Sequence, residues 1–110
     1  MSREHRLFLE DMREACEKVI RHTRGLTREQ FLQDDKTFDA VMRNVEVIGE
    51  AAKHIPAEVR QQHPDVDWRK VAGLRDMVIH EDFGIDHEII WDMITREVPV
   101  LLEQLKRMLR

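Results

Sequence analysis

The chain has 110 residues, a net charge of −4, 42% hydrophobic residues and 36% charged residues, a balance that is typical of a globular domain and excludes a disordered chain. The single cysteine, Cys16, excludes an internal disulfide and a zinc–thiolate cluster. The acidic balance argues against broad, non-specific binding of nucleic acid but is compatible with a local basic cleft. No apolar run approaches a membrane span and the first residues do not resemble a signal peptide, so we expect one cytoplasmic domain over residues 1–110.

Helical periodicity runs through every long segment of the first half. A first helix is indicated by an apolar stripe at spacings of three and four residues, which consists of Phe8, Met12, Ala15, Cys16 and Val19. Thr27 with Gln30 predicts a capping box for the next segment. From about Thr37 a second long helix follows, and its stripe consists of Phe38, Val41, Val45, Ile48, Ala52 and Ile55. Pro56 and Pro64 then bracket a short helix, because proline is tolerated in a first helical turn and disfavoured inside a helix.

The second half predicts two more long helices. Asp67 is a good N-cap for "WRKVAGLRDMVIHE", which should end near Gly84. Asp86 should cap the last helix, and Pro99 should kink it because proline cannot donate to the carbonyl of Thr95. No segment alternates as a strand does. The sequence therefore predicts an all-α fold, an antiparallel bundle of four long helices plus one short helix.

The stretch "GLRDMVIHEDFGID", residues 73–86, contains an arginine and a histidine separated by four residues. A spacing of five turns a helix by roughly 500°, so Arg75 and His80 lie about 140° apart and do not share a regular helix face. They can converge only if the helix ends or distorts near His80, or if a second chain contributes. Spacing alone also fits a surface arginine and a histidine at a helix C-terminus, where the helix dipole favours it.

The surrounding residues narrow this choice. The stretches "WRKVAGLRDMVIHEDFGIDHEIIW" and "FDAVMRNVEVIGEAAKHIP" resemble the HepT-like branch of the HEPN superfamily, whose members carry an R-x4-H motif and commonly a tyrosine two places after the histidine. The resemblance covers nearly the whole chain. It implies a HEPN-like, homodimeric helical bundle that acts as a metal-independent ribonuclease without a cofactor. Such a protein is typically the toxin of a toxin–antitoxin pair.

The two motif residues fit that chemistry. RNA can be cut by its own 2′-hydroxyl, which requires one proton to be removed and another to be delivered to the leaving oxygen. Histidine does either near neutral pH, and arginine offers a planar fork of donors to phosphate, so we assign proton transfer to His80 and phosphate binding to Arg75. A homodimer with its two-fold axis at this helix would bring two copies of each into one cleft and would resolve the spacing problem.

Four further residues are candidates for supporting roles. Asp76 follows Arg75 and is placed to orient Arg75 or His80, or is simply a solvated helix acid. Arg43, Asn44 and Glu50 resemble polar family residues near the cleft and are expected to position Arg75 or RNA, or to be bundle-face residues paired with other charges. The acid- and histidine-rich "IHEDFGIDHE" lacks H-E-x-x-H and is interrupted by a helix break, so we expect no metal site.

Asp82 stands where the family usually has its tyrosine. In the family that this chain resembles, that tyrosine accepts AMP groups from a partner nucleotidyltransferase antitoxin. This chain contains no tyrosine at all. The position is either naturally divergent, with inhibition by binding, or altered so that activity falls. An acid here should repel phosphate and raise the pKa of His80. Arg75, His80 and the family resemblance still make a dimeric ribonuclease toxin the leading hypothesis. The alternatives are a catalytically weak module that binds a nucleotidyltransferase, and an idle structural dimer.

Overall fold

The computed structural model describes residues 2–79 and 87–110, and every regular element within these ranges is helical. The elements in chain order are α1 (Arg3–Thr23), α2 (Arg28–Gln33), α3 (Asp35–Lys53), α4 (Ala57–Gln62), α5 (Trp68–Ala72), α6 (Leu74–Ile79), α7 (His87–Asp92), the π turn (Met93–Glu97) and α8 (Val98–Met108). The prediction of an all-α helical bundle is confirmed. Across the described helices, none has the length and apolar character needed to cross a membrane.

Local capping explains where α2 and α3 begin. The amide of Gln30 donates to Thr27 Oγ1 over 3.1 Å and Gln30 Oε1 accepts from the Thr27 amide over 2.9 Å, so the predicted capping box is present. Asp34 then caps α3 by accepting from the hydroxyl and the amide of Thr37, and these bonds, the one from the hydroxyl above all, lower the pKa of its carboxyl. The second long helix therefore begins at Asp35, two residues before the predicted start.

The core is formed mainly by α1, α3 and α8. α1 packs against both α3 and α8, and α3 also packs against α5 and α6. The fully buried side chains include Leu9, Met12, Val19, Phe31, Val41, Val45, Ile48, Ile90, Ile94, Val98 and Leu105. Cys16 is also fully buried, as predicted, and burial, with a smaller contribution from the charge of Glu17, raises the pKa of its thiol to about 12. Cys16 is thus a core residue and not a reactive thiol.

The third predicted helix is divided into two. Asp67 caps α5 as predicted by accepting from the amide of Lys70 over 3.1 Å, but α5 ends at Ala72. Gly73 separates it from α6, with φ −73° and ψ −9°. The predicted end near Gly84 and the cap at Asp86 lie outside the described residues. Arg75 is consequently the second residue of a new helix and not in the middle of the predicted one.

The irregularity expected at Pro99 takes the form of a π turn. The amide of Val98 donates to the carbonyl of Met93, five residues back, so the helix widens immediately before the proline. Pro99 then lies in the first turn of α8, where its missing N–H is tolerated. The hydroxyl of Thr95, within this turn, donates to the carbonyl of Trp91 in α7 over 2.8 Å.

Candidate active site

Arg75 is positioned by a close approach of α6 to α3. Gly49 is buried on α3, and a Cβ built at this glycine would lie 2.7 Å from the backbone nitrogen of Arg75 and 3.1 Å from its Cβ. Real Cβ atoms essentially never come so close to backbone, so the two helices can pack at this distance only because residue 49 has no side chain. The contact places Arg75 directly against the polar face of α3.

Two glutamates of α3 pair with Arg75 at this contact. Its Nε lies 3.0 Å from Glu50 Oε2 and 3.9 Å from Glu46 Oε1. The Arg75 side chain is 38% exposed and the two glutamates are 50% and 47% exposed. At such exposure each ion pair contributes less than about 1 kcal/mol to stability, so its main effect is on the position of the guanidinium. Arginine has five N–H donors, so it retains the capacity to bind phosphate while Nε is paired.

Glu50 has a second neighbour at the end of the same helix. His54 Nε2 lies 3.9 Å from Glu50 Oε1, and the imidazole stacks on the Phe8 ring of α1 with centroids 4.7 Å apart and planes 9° apart. The stacking restrains the ring of an otherwise exposed histidine. Phe8, His54, Glu50 and Arg75 thus form a continuous series of contacts from α1 through α3 to α6.

The remaining supporting candidates do not meet at Arg75. Asn44 donates from Nδ2 to the carbonyl of Ala40 over 2.8 Å and is therefore bonded to its own helix. Arg43 is exposed, and within residues 2–79 and 87–110 it forms no ion pair. Asp76 is exposed beside Arg75, but the carboxylates that approach the guanidinium in the described structure are those of α3. Of the four predicted residues, the structure brings only Glu50 to Arg75.

Sequence reasoning missed Glu46. Its signal was present, because residues four apart lie on one face of a helix and Glu46 is four residues before Glu50. The pairing partner on α6 is distant in sequence, so the pattern alone did not single out Glu46. His80 and Asp82 lie outside the described residues, and the structure therefore neither supports nor contradicts the roles predicted for them.

A separate groove lies between α5 and α8. It has a volume of about 280 Å³, and its apolar walls include Val71, Leu74, Met93 and Leu101. Lys70 and Glu97 form an ion pair at its edge. Leu74 lines the groove whereas the next residue, Arg75, contacts α3, so consecutive residues of α6 face two different surfaces. Among the residues with described positions, no cluster of three or more histidine, cysteine or acidic side chains could hold a metal ion.

Comparison with known proteins identifies the family. The family described as Ribonuclease HepT-like matches residues 12–108. The chain is 43% identical over 101 residues to the "Probable ribonuclease HepT" of Thermococcus cleftensis, covering 92% of each chain. It is 41% identical over 105 residues to a candidate RNase of Caldanaerobacter subterraneus subsp. tengcongensis, covering 96% of this chain and 94% of that one. No solved structure gives a significant match. The chain belongs to the HepT-like ribonuclease family, and it is a ribonuclease.

Proposed function

We propose that the protein is a metal-independent endoribonuclease toxin that cleaves RNA by attack of the 2′-hydroxyl, with Arg75 and His80 as its catalytic residues. The observation that carries the proposal is the position of Arg75, a partly exposed arginine held at Nε by carboxylates of α3 in a chain of this family. The same chemistry needs an acid or base within reach of the scissile phosphate, and His80 follows Arg75 by five residues.

Arg75 supplies positive charge where the reaction creates negative charge. Attack of the 2′-hydroxyl gives a transition state with more charge on the phosphate oxygens than the ground state has. A planar guanidinium donates to two such oxygens at once, which lysine cannot do with the same geometry. The products follow from the bonds made and broken: the 2′-oxygen bonds to phosphorus, the 5′-oxygen leaves with a proton, and a 2′,3′-cyclic phosphate remains.

The active cleft in this proposal is shared by two protomers. On a regular helix Arg75 and His80 point about 140° apart, so one chain does not readily present both to one phosphate. A two-fold axis near α6 would place Arg75 of one protomer close to His80 of the other. The homodimer is therefore part of the proposed function and not an addition to it.

Regulation by a nucleotidyltransferase antitoxin is also part of the proposal, but through binding. AMP transfer to tyrosine is chemically impossible in a chain that has none. A partner that covers the cleft would silence the enzyme without modifying it. The second candidate function is a weakly active module that binds the nucleotidyltransferase; the acid at Asp82 and the net charge of −4 favour it, because both repel RNA.

The test is RNA cleavage by the purified protein with matched variants. Arg75→Ala and His80→Ala should each lower the rate of cleavage by roughly 10²-fold or more, the usual effect of removing a charge-stabilising or proton-transferring group. Arg21→Ala and His22→Ala are the controls, because both residues are exposed at the end of α1. Cleavage should persist with a chelator present and stop when the scissile nucleotide is 2′-deoxy. Undiminished activity in Arg75→Ala and His80→Ala would refute the assignment.

A mixing experiment tests the shared cleft. Arg75→Ala and His80→Ala proteins, inactive separately, should regain part of the activity when their protomers are exchanged, because the mixed dimer retains one intact arginine and one intact histidine. The mass of the protein in solution gives the oligomeric state independently. A monomer that cleaves RNA at full rate would contradict the dimeric cleft.

Expression in cells separates the two candidate functions. A toxin should arrest growth, and the arrest should disappear in Arg75→Ala and in His80→Ala. Harmless expression with intact RNA, together with stable binding of a nucleotidyltransferase encoded beside this chain, would favour the binding module.

A further inference from the structure

The second glutamate at Arg75 needs a physical explanation. Glu46 and Glu50, the glutamate pair, lie four residues apart on one face of α3, where like charges repel and destabilise a helix. Around one arginine they leave a local charge of −1, which disfavours an anionic substrate. A site that only had to attract phosphate would contain neither of them.

We propose that Glu46 is a positioning residue for RNA cleavage, acting with Glu50 to hold the guanidinium of Arg75 in one orientation. Glu50 lies within hydrogen-bond distance of Nε, at 3.0 Å, and Glu46, at 3.9 Å, attracts the same nitrogen by its charge, so both act on the nitrogen nearest the side-chain stem. Holding the stem restricts the rotation of a long side chain and leaves the rest of the donor fork to bind phosphate. This inference rests on the proposed function, because it assumes that Arg75 binds the scissile phosphate.

The surroundings of Glu46 support a role through Arg75. Among the described residues, Arg75 is the cation that pairs with Glu46. Glu46 is negatively charged, as RNA is, so a direct contact between the two would be repulsive. Glu50, in contrast, is restrained from two sides, by Arg75 and by the stacked imidazole of His54. Glu46 supplies the second restraint on the guanidinium, from the preceding turn of α3.

The experiment separates positioning from simple repulsion. Steady-state cleavage of a short RNA should be measured for Glu46→Gln, with Glu14→Gln as the control, since Glu14 pairs with Lys18 on the same helix, four residues away, and its loss removes an equal charge. A positioning role predicts that kcat falls roughly tenfold in Glu46→Gln while KM changes little, because geometry at the reacting centre is lost. Glu46→Asp, which retains the charge, should recover part of kcat.

A second background tests whether Glu46 acts through Arg75. In Arg75→Lys, which lacks Nε, adding Glu46→Gln should have no further effect on kcat, because coupled residues give non-additive changes. If Glu46→Gln lowers KM and leaves kcat unchanged or raised, or if it behaves as Glu14→Gln does, the positioning role is overturned. If the positioning role is overturned in this way but Arg75→Ala is inactive, the proposed function still holds. If Arg75→Ala is fully active, both the positioning role of Glu46 and the proposed function are overturned.

Discussion

Replacing Gly49 by alanine tests the helix contact that places Arg75. The added Cβ would lie 2.7 Å from the Arg75 nitrogen and 3.3 Å from its Cα, so α6 must move away by several tenths of an ångström or more. Overpacking of this kind costs about 1–3 kcal/mol, and the higher helix propensity of alanine recovers at most about 1 kcal/mol. We therefore expect a net loss of up to about 3 kcal/mol, together with a loss of cleavage activity because Arg75 leaves the glutamate pair.

Urea denaturation followed by circular dichroism measures this loss, and Gly73→Ala is the matched control. Among the residues that the structure describes, a Cβ at Gly73 would meet the carbonyl oxygens of Arg69 and Lys70, both at 3.4 Å, and the backbone angles of Gly73 are helical. Gly73→Ala should thus be neutral or stabilising by up to about 1 kcal/mol. If Gly49→Ala is as stable and as active as Gly73→Ala, the reasoning about close helix approach is wrong.

Two further predictions concern Cys16 and Asp82. Burial raises the pKa of the Cys16 thiol from its ordinary value of 9.0 to about 12, so the folded state holds its proton at a pH where the unfolded state has lost it. Stability from this thiol is complete below about pH 9 and is lost as pH rises from 9 towards 12, by about 1.4 kcal/mol at pH 10. Urea unfolding of the wild type at pH 8 and pH 10 should show this loss, and Cys16→Ala should lack it; equal pH dependence of the two proteins would contradict the assignment. Asp82→Tyr should cleave RNA faster than the wild type, because it removes an acid near the proposed cleft; equal rates would rule out an inhibitory role for the aspartate.

The parts of the fold that are encoded locally were predictable from the sequence. The apolar stripes of α1 and α3 and the caps at Thr27 and Asp67 depend on residues within one or two helical turns. The division at Gly73 was not predictable, because glycine is also tolerated inside helices and the outcome depends on the packing of α5 and α6 against α3. Pro99 indicates where the last helix is irregular, but the sequence does not indicate that the irregularity is a π turn.

The candidate site was predictable only in part, for a similar reason. Arg75 and Glu50 could be singled out from their motifs, and in the structure Arg75 Nε lies 3.0 Å from Glu50 Oε2. Glu46 required knowledge of which face of α3 meets α6, which is a long-range property. The close contact between Gly49 and α6 is also a long-range property. A glycine inside a helix is locally unfavourable, but the sequence does not indicate which segment packs against it.

The glutamate pair and Arg75 lie in different parts of their helices. α3 is an uninterrupted helix of 19 residues, whereas Gly73 separates α5 from α6, so Arg75 lies in the first turn of its helix. Helix ends open at a lower free energy than helix interiors, so we expect the start of α6 to open more often than the middle of α3. The assembled arginine site is consequently one member of an equilibrium, and amide hydrogen exchange in α6, relative to α3, measures how much of the protein has the site intact at any moment.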